Sequence, residues 1–146
     1  MPAAGSEQAV LTGRVLVAGR GGGPLLRLEA PISFWGGVDA GTGRIIDPRH
    51  PQHGASVTAQ VLALPRSIGS SSGSSILLEL LARGRGPAAI VLGEADQILT
   101  LGAVVAREMG HAAMPVVLLE PPLLQRLPTP LHIDAEGRQG RSIALS

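Results

Sequence analysis

The chain has 146 residues, of which 45% are hydrophobic but only Phe34 and Trp35 aromatic, and this length fits a single domain over residues 1–146. It contains no cysteine, which excludes a disulfide framework, a thiolate nucleophile, and a zinc ribbon or iron–sulfur cluster ligated by this chain. All 12 basic residues are arginine, which excludes a lysine Schiff base. The net charge is only +1 and the arginines are scattered, so the sequence does not support nucleic-acid binding.

The first third of the chain is rich in glycine and proline and is predicted to consist of strands and turns. Residues 1–8 lack the pattern of a signal peptide, and no apolar run approaches the roughly 20 residues that span a bilayer, so we expect a cytoplasmic protein with no membrane contact. A strand at 13–18, a tight turn at 19–24 and a strand at 25–29 predict a hairpin. The glycines and prolines of 31–54 indicate a loop that is either held in specific backbone angles or flexible.

The rest of the chain alternates apolar strands with helices. Strands that are apolar throughout and alternate with helices indicate a buried parallel sheet, so the sequence predicts an α/β domain. Residues 1–12 and 136–146 are expected to be loosely ordered tails. The predicted strands are 56–64, 88–92, 115–119, 131–134 and one near Ile143, and the predicted helices are 76–83 and 95–110.

A segment of glycine and serine at 69–75 lies between a predicted strand and a predicted helix. Hydroxyl and backbone N–H groups at a helix start can bind an anion, and the positive end of the helix lowers the cost of a nearby alkoxide. A flexible linker is the alternative, but inside one domain it has nothing to link. N-capping by Ser74 or Ser75 explains only one or two of the serines. We therefore interpret the segment as a candidate site.

The loop at 47–53 contains Asp47, His50 and His53, residue types that can ligate a metal. Pro51 separates the two histidines and prevents a helix from placing them on one face. A turn-rich surface loop is the interpretation we favour, with hydrogen bonds or interface contacts as its role, and no metal site is predicted.

Residues 101–110 are predicted to form an amphipathic helix, and they also resemble the helix of phosphohistidine swivel domains. When Ala106, Arg107 and Glu108 are aligned with that family, Leu101 occupies the position of the phosphorylated histidine. The resemblance therefore implies a shared swivel fold without phosphocarrier chemistry.

Three segments in this order and spacing resemble the small subunit of the aconitase X family: SFWGGVD at 33–39, GRIIDPRHPQHG at 43–54 and GSSSGSS at 69–75. The resemblance extends from residue 13 to about residue 119. It implies the swivelling β/β/α domain, in which a parallel sheet carries helices and an additional β layer.

The resemblance also implies a role for the serine segment. Members of the family are dehydratases that join this domain to a large subunit with an iron–sulfur cluster, so we expect such a partner subunit and no cofactor on this chain. In aconitase-like enzymes, a serine of this turn removes a proton from the carbon beside a substrate carboxylate. By position that base is Ser70, with the other serines of 70–75 as alternatives.

Further candidates follow from the same resemblance. The substrate-binding candidates are Gly69, Ser71, Ser72 and Arg66. The interface or loop candidates are Trp35, Gly36, Gly37, Asp47, His50 and His53. Aconitases have an arginine after the two serines, whereas Ser72 and Gly73 follow here, so contacts with a substrate anion must come from hydroxyls, backbone N–H groups or the partner.

The leading hypothesis is the small subunit of a heteromeric hydro-lyase acting on a small hydroxy acid. The family suggests cis-3-hydroxy-L-proline or mevalonate 5-phosphate. A composition rich in Arg, Ala, Gly and Pro favours a high-GC bacterium and hence the first substrate, and a phosphate would require a cluster of cations where only Arg66 is near. The alternative of another class is a non-catalytic swivel module for binding or assembly.

Overall fold

The computed structural model describes residues 9–136 and 142–145 of the chain. The longest of the described helices has 12 residues, and none of them is long and apolar enough to cross a membrane. The elements in chain order are β1 (Ala9–Thr12), β2 (Arg14–Val17), β3 (Arg20–Gly23), β4 (Leu25–Arg27), α1 (Phe34–Gly37), β5 (Val61–Leu64), α2 (Gly73–Ala82), β6 (Ala89–Leu92), α3 (Gln97–Glu108), β7 (Val116–Leu118), α4 (Pro121–Leu124), β8 (Leu131–Asp134) and β9 (Ser142–Leu145).

Two sheets and a layer of helices form the domain. The first sheet has the order β2-β7-β6-β5-β4, in which β4 to β7 run parallel and β2 runs antiparallel to β7. The second sheet, with the order β1-β9-β8-β3, is antiparallel throughout. The predicted α/β class, with a parallel sheet, helices and an additional β layer, is confirmed.

The central strands are apolar throughout because both of their faces are buried. In β5, Leu62 and Leu64 pack in one cluster with the side chains of α2 and α3. Val61 and Ala63, which alternate with them, pack in a second cluster with β8 of the antiparallel sheet. The parallel sheet therefore lies between the helices and the second sheet, which explains why its strands show no polar face.

The predicted hairpin near the start of the chain is wrong. β2 and β4 lie at opposite edges of the parallel sheet, and the glycines between them form β3 of the other sheet, paired with β8. A Cβ atom at Gly21 would collide with the carbonyl oxygen of Ala88, and one at Gly23 with that of Ala59. These glycines let a strand lie close to its neighbours, whereas the sequence suggested a turn.

Several element bounds differ from those predicted. The strand predicted at 56–64 begins only at Val61, because Ala59 has a φ of +60° that interrupts extended backbone. The helix predicted at 76–83 starts three residues earlier, at Gly73. Within the segments expected to be loose tails, Ala9–Thr12 and Ser142–Leu145 form strands that pair with each other. These two strands come from opposite ends of the chain, and local hydrophobic periodicity gives no signal for a pairing between them.

Candidate functional site

The loops that follow β4, β5 and β6 meet at the carboxyl edge of the parallel sheet, the edge at which open α/β sheets bind ligands. The serine turn (residues 69–75) follows β5 and packs against the turn α1 that follows β4. A Cβ atom at Gly69 would come within 2.6 Å of the Ser33 Oγ, and one at Gly73 within 3.3 Å of the Phe34 Cβ. Residues 33–39 also pair with the segment 43–54, through a bridge between Val38 and Ile45, so the structure brings together all three segments singled out in the sequence.

The serine turn holds Ser70 in a defined hydrogen-bonded arrangement. The N–H of Ser72 donates to the Ser70 Oγ over 3.1 Å, and the N–H of Gly73 donates to the Ser70 carbonyl oxygen over 3.0 Å. Ser70, Ser71 and Ser72 are all exposed to solvent. Because the Ser70 Oγ accepts from a backbone N–H, its own hydroxyl hydrogen is free to be donated or lost.

The electrostatics of the turn favour negative charge on Ser70. The 10-residue helix α2 begins at Gly73, so its positive end lies beside the turn. A hydrogen bond from the Ser72 N–H stabilises a charged oxygen more than a neutral one. The arrangement can therefore stabilise an alkoxide at Ser70 or orient an anionic group of a ligand.

Arg66, a predicted substrate-binding residue, forms an ion pair with Glu94. Its Nε lies 3.1 Å from the Glu94 Oε2, across the ends of β5 and β6, and both side chains are largely exposed. An exposed pair of this kind contributes little to stability and can exchange partners. A substrate carboxylate at Arg66 would have to compete with Glu94.

The loop at 47–54 is a hydrogen-bonded surface loop. His50 is buried, its Nδ1 accepts from the Gln52 N–H over 3.0 Å, and its Nε2 lies 3.0 Å from the carbonyl oxygen of Ala30. The Arg49 N–H donates to the Asp47 carboxylate, and this backbone hydrogen bond lowers the pKa of Asp47 below its ordinary value. Among the residues described by the structure, no three of the types that bind metals converge on one point.

Trp35 is 57% exposed beside the serine turn, although it is the largest apolar side chain of the protein. Two further exposed apolar residues, Ile46 and Ile68, lie on segments tied to the same region. The Ile68 N–H donates to the Ile32 carbonyl oxygen over 3.0 Å, and the Ile46 N–H to that of Gly37 over 2.8 Å. Trp35, Ile46 and Ile68 are thus exposed apolar residues on connected loops near the serine turn, and we call the three together the apolar rim.

Gly36 and Gly37 belong to the turn α1 and have different environments. Gly36 has a φ of +83° and open space where a Cβ atom would lie. Gly37 is buried, and a Cβ atom there would come within 3.0 Å of the Ile32 Cγ1. Gly36 therefore permits the backbone conformation of the turn, while Gly37 permits its close packing against Ile32.

A groove of about 350 Å³ lies between α3 and the edge strand β2 and extends to Asp96 at the start of α3. None of the predicted site residues lines it. Leu101 lies in this groove and is 54% exposed, so the position that would hold a phosphorylated histidine presents an apolar side chain. The residues lining the groove are Arg14, Leu16, Ala95, Asp96, Gln97, Thr100, Leu101 and Val104.

Two further residues of this edge, Ser33 and Asp96, are not among those predicted from the sequence. Asp96 is the N-cap of α3 and also binds the N–H of Ser67, just before the serine turn. An aspartate directly before a helical pattern is an N-cap signal, so the capping role of Asp96 could have been predicted from the sequence. The contact with Ser67 joins residues 29 positions apart and has no sequence signal.

A parallel sheet with helices on one face, an antiparallel sheet on the other and a serine turn at its carboxyl edge defines a swivel-type β/β/α domain. The family model of the aconitase X swivel domain matches residues 10–143, and the chain belongs to this family.

The relatives of this chain carry two kinds of name. The cis-3-hydroxy-L-proline dehydratase of Pseudomonas aeruginosa is 48% identical over 106 residues, which make up 73% of this chain and 18% of that protein. The phosphomevalonate dehydratase small subunit of Methanothermobacter thermautotrophicus is 44% identical over 93 residues, which make up 64% of this chain and 71% of that protein. The chain thus spans less than a fifth of the hydroxyproline dehydratases that it matches.

A solved structure has the same fold. A chain of the crystal structure of Thermococcus kodakaraensis aconitase X in its holo-form superposes with a TM-score of 0.77 at 30% identity, over 94% of this chain and 99% of that chain. The resemblance to the aconitase X family stated from the sequence is confirmed.

Proposed function

We propose that this chain is the swivel-domain part of an aconitase X-type dehydratase, a carbon–oxygen lyase that removes water from a small hydroxy acid. Family membership supports the reaction class, since the relatives described above are named as dehydratases. The observation that carries the proposal is the hydrogen bond from the Ser72 N–H to the exposed Ser70 Oγ, at the start of α2.

Ser70 acts in this proposal as the base that takes the proton from the carbon next to the substrate carboxylate. The proton passes to the Ser70 alkoxide oxygen, and the electron pair left on carbon forms the double bond as the hydroxyl on the adjacent carbon leaves as hydroxide. The hydroxide takes up a proton to become water, and Ser70 gives up the proton it accepted, which restores the alkoxide. A serine is a weak base in water, so the alkoxide needs the Ser72 N–H, the positive end of α2 and the exclusion of solvent. We assign the hydroxyls of Ser71 and Ser72 to binding the substrate anion, which their exposure at the start of α2 supports.

The active site requires a second subunit. Ser70 is exposed, and the exclusion of water that its chemistry needs must come from a partner that covers the turn. The apolar rim, formed by Trp35, Ile46 and Ile68, is suited to such a contact because burying it removes apolar surface from water. We assign this role to a large aconitase X-type subunit.

An iron–sulfur cluster does not fit the residues of this chain. The chain has no cysteine, and the described residues contain no converging group of His, Asp and Glu. The cluster expected for the family is therefore assigned to the large subunit, and no step on this chain's residues depends on it.

We propose cis-3-hydroxy-L-proline as the substrate, with mevalonate 5-phosphate as the second candidate. A phosphate group binds best to several fixed cations, and Arg66, the cation nearest in sequence to the serine turn, is already paired with Glu94. A carboxylate and a small ring need fewer charges. Turnover of both compounds by the assembled complex decides between them.

The catalytic proposal is tested by co-expressing the chain with its large subunit and replacing one serine at a time. We expect Ser70→Ala to lower kcat by about a hundredfold to ten-thousandfold, the usual contribution of a general base, in a complex that still assembles. Ser75→Ala is the matched comparison, because Ser75 is also exposed but lies inside the first turn of α2; it leaves kcat unchanged if Ser70, and not this alternative serine, is the base. Full activity of the Ser70→Ala complex would overturn the assignment of Ser70, and full activity after each serine of 70–75 is replaced in turn would indicate a non-catalytic swivel module.

A further inference from the structure

Asp96 connects two elements at the carboxyl edge of the sheet and is only 7% exposed. Its Oδ1 accepts hydrogen bonds from the N–H groups of Ile98 over 3.0 Å and of Leu99 over 3.1 Å, which cap α3. Its Oδ2 accepts from the N–H of Ser67, on the segment that leads from β5 into the serine turn. One buried carboxylate thus joins the start of α3 to the chain that positions Ser70.

Capping of α3 alone does not account for an aspartate at this position. A cap needs one side-chain oxygen, which serine, threonine or asparagine also supplies. Burying a carboxylate is costly unless its oxygens are hydrogen-bonded, so a neutral cap would be cheaper here. Only a carboxylate offers two oxygens that both accept, without a donor on either side. The contact with Ser67 is therefore what requires Asp96 to be an aspartate.

The segment that Asp96 holds determines where the serine turn lies. Ser67 precedes Ser70 by three residues, and on its other side it forms a parallel bridge with Ile32. By contrast, the hydrogen bonds that Ser70 accepts from Ser72 and Gly73 are internal to the turn, so they fix its shape but not its place in the domain. Ile32 and Asp96 together fix the point from which the turn extends.

We propose that Asp96 is a positioning residue for Ser70. It contacts no reacting atom and acts through the backbone of Ser67, by keeping the serine turn at a fixed place relative to α3 and the sheet. This inference rests on the proposed role of Ser70 as the base. A base displaced by about 1 Å can lose two orders of magnitude in rate, so a tether of this kind affects turnover more than substrate binding.

Two substitutions separate the tether from the cap. Asp96→Asn retains only one accepting oxygen. Its NH₂ group lies against an N–H donor, either that of Ser67 or those of Ile98 and Leu99. Asp96→Ser retains a cap for α3 but is too short to reach Ser67. In the complex with the large subunit, we expect both variants to lower kcat by about tenfold to a hundredfold, because the reacting groups are misplaced. KM should change by a smaller factor than kcat, because the displaced turn also carries the binding hydroxyls of Ser71 and Ser72, but binding depends less steeply on position than proton transfer does.

Hydrogen exchange measured on the same complexes reports whether the tether is lost. Exchange of residues 65–72 should become faster in both Asp96 variants and stay unchanged in the control Asp134→Asn. Asp134 is a suitable control because its carboxylate also accepts a backbone N–H, from Glu136 over 3.2 Å, but it lies in the antiparallel sheet. The control should retain the kcat of the unaltered complex.

The outcomes distinguish this inference from the function on which it rests. If Ser70→Ala is inactive while the assembled Asp96→Asn and Asp96→Ser complexes keep full kcat, the positioning role is wrong and the base assignment stands. Equally, a lower yield of complex with an unchanged kcat per assembled complex makes Asp96 a purely structural cap. If Ser70→Ala is fully active, the base assignment itself fails, and the role of Asp96 fails with it.

Discussion

Gly69 lies directly against Ser33, and a Cβ atom at position 69 would come within 2.6 Å of the Ser33 Oγ and 2.9 Å of its Cβ. Gly69 also has a φ of +83°, a conformation that residues with a Cβ atom rarely adopt. The serine turn can approach the turn α1 this closely only because position 69 has no side chain. The contact between these two residues therefore couples two segments that are far apart in the chain.

We predict that Gly69→Ala destabilises the domain more than Gly36→Ala does. Both positions have a φ of +83°, so each substitution carries backbone strain of about 1–3 kcal/mol. Only the alanine at 69 also meets a neighbour, since a Cβ atom at 36 has open space, and overpacking adds about 1–3 kcal/mol. Urea denaturation of the two variants measures the difference. Equal losses in the free energy of unfolding would show that the contact between position 69 and Ser33 does not affect stability.

Leu99 and Leu101 test how the two faces of α3 contribute to stability. Leu99 is 0% exposed between α3 and the sheet, whereas Leu101 is 54% exposed in the groove beside β2. Leu99→Ala should lower the free energy of unfolding by about 2–5 kcal/mol, because it leaves a cavity. Leu101→Ala should change it by no more than about 0.5 kcal/mol. A large effect at Leu101 would mean that the groove is covered in the folded protein.

The parallel sheet could be predicted from the sequence because its strands are apolar on both faces and helices separate them. The strands β6 and β8 lie within one residue of their predicted bounds. The strand β3 could not be predicted, because three consecutive glycines are typical of a turn, and only the carbonyls packed over Gly21 and Gly23 explain them. Local composition does not contain that information.

The candidate site shows the same limit. The serine turn was identified because hydroxyl residues at the start of a helix have a chemical use that does not depend on the rest of the fold. The role of Asp96 depends on Ser67, which is 29 residues away, and on the side-by-side arrangement of β5 and β6. A pairing of this kind becomes visible only when the strand order is known.

His50 is predicted to stabilise its loop through hydrogen bonds at both ring nitrogens. Its Nδ1 accepts from the Gln52 N–H, so its Nε2 carries the hydrogen and donates it to the Ala30 carbonyl oxygen. His50→Ala leaves two partly buried partners without a hydrogen bond and should cost about 1–3 kcal/mol. The exposed His53 is the matched control, and His53→Ala should change the free energy of unfolding by about 0.5 kcal/mol at most. Thermal or urea unfolding of both variants checks this prediction, and equal effects would contradict it.

Asp134 is predicted to make the domain less stable in acid. The N–H of Glu136 and, to a lesser degree, the guanidinium of Arg20 lower the pKa of Asp134 below its ordinary value of 3.8. A carboxyl with a lowered pKa in the folded state adds stability above its ordinary pKa, and this stability is lost as the pH falls through the lowered value. Asp134→Asn should therefore reduce stability at neutral pH and show a weaker further loss below pH 3.8.

Urea denaturation at a series of pH values between about 2 and 6, the range over which such carboxylates titrate, measures this effect. Arg20→Gln is the informative comparison, because it removes the ion pair but keeps the larger contribution from the Glu136 N–H. It should retain most of the pH dependence of the unaltered protein, whereas Asp134→Asn should not. If Arg20→Gln flattened the profile as strongly as Asp134→Asn, the ion pair, and not the backbone hydrogen bond, would be the main cause of the lowered pKa.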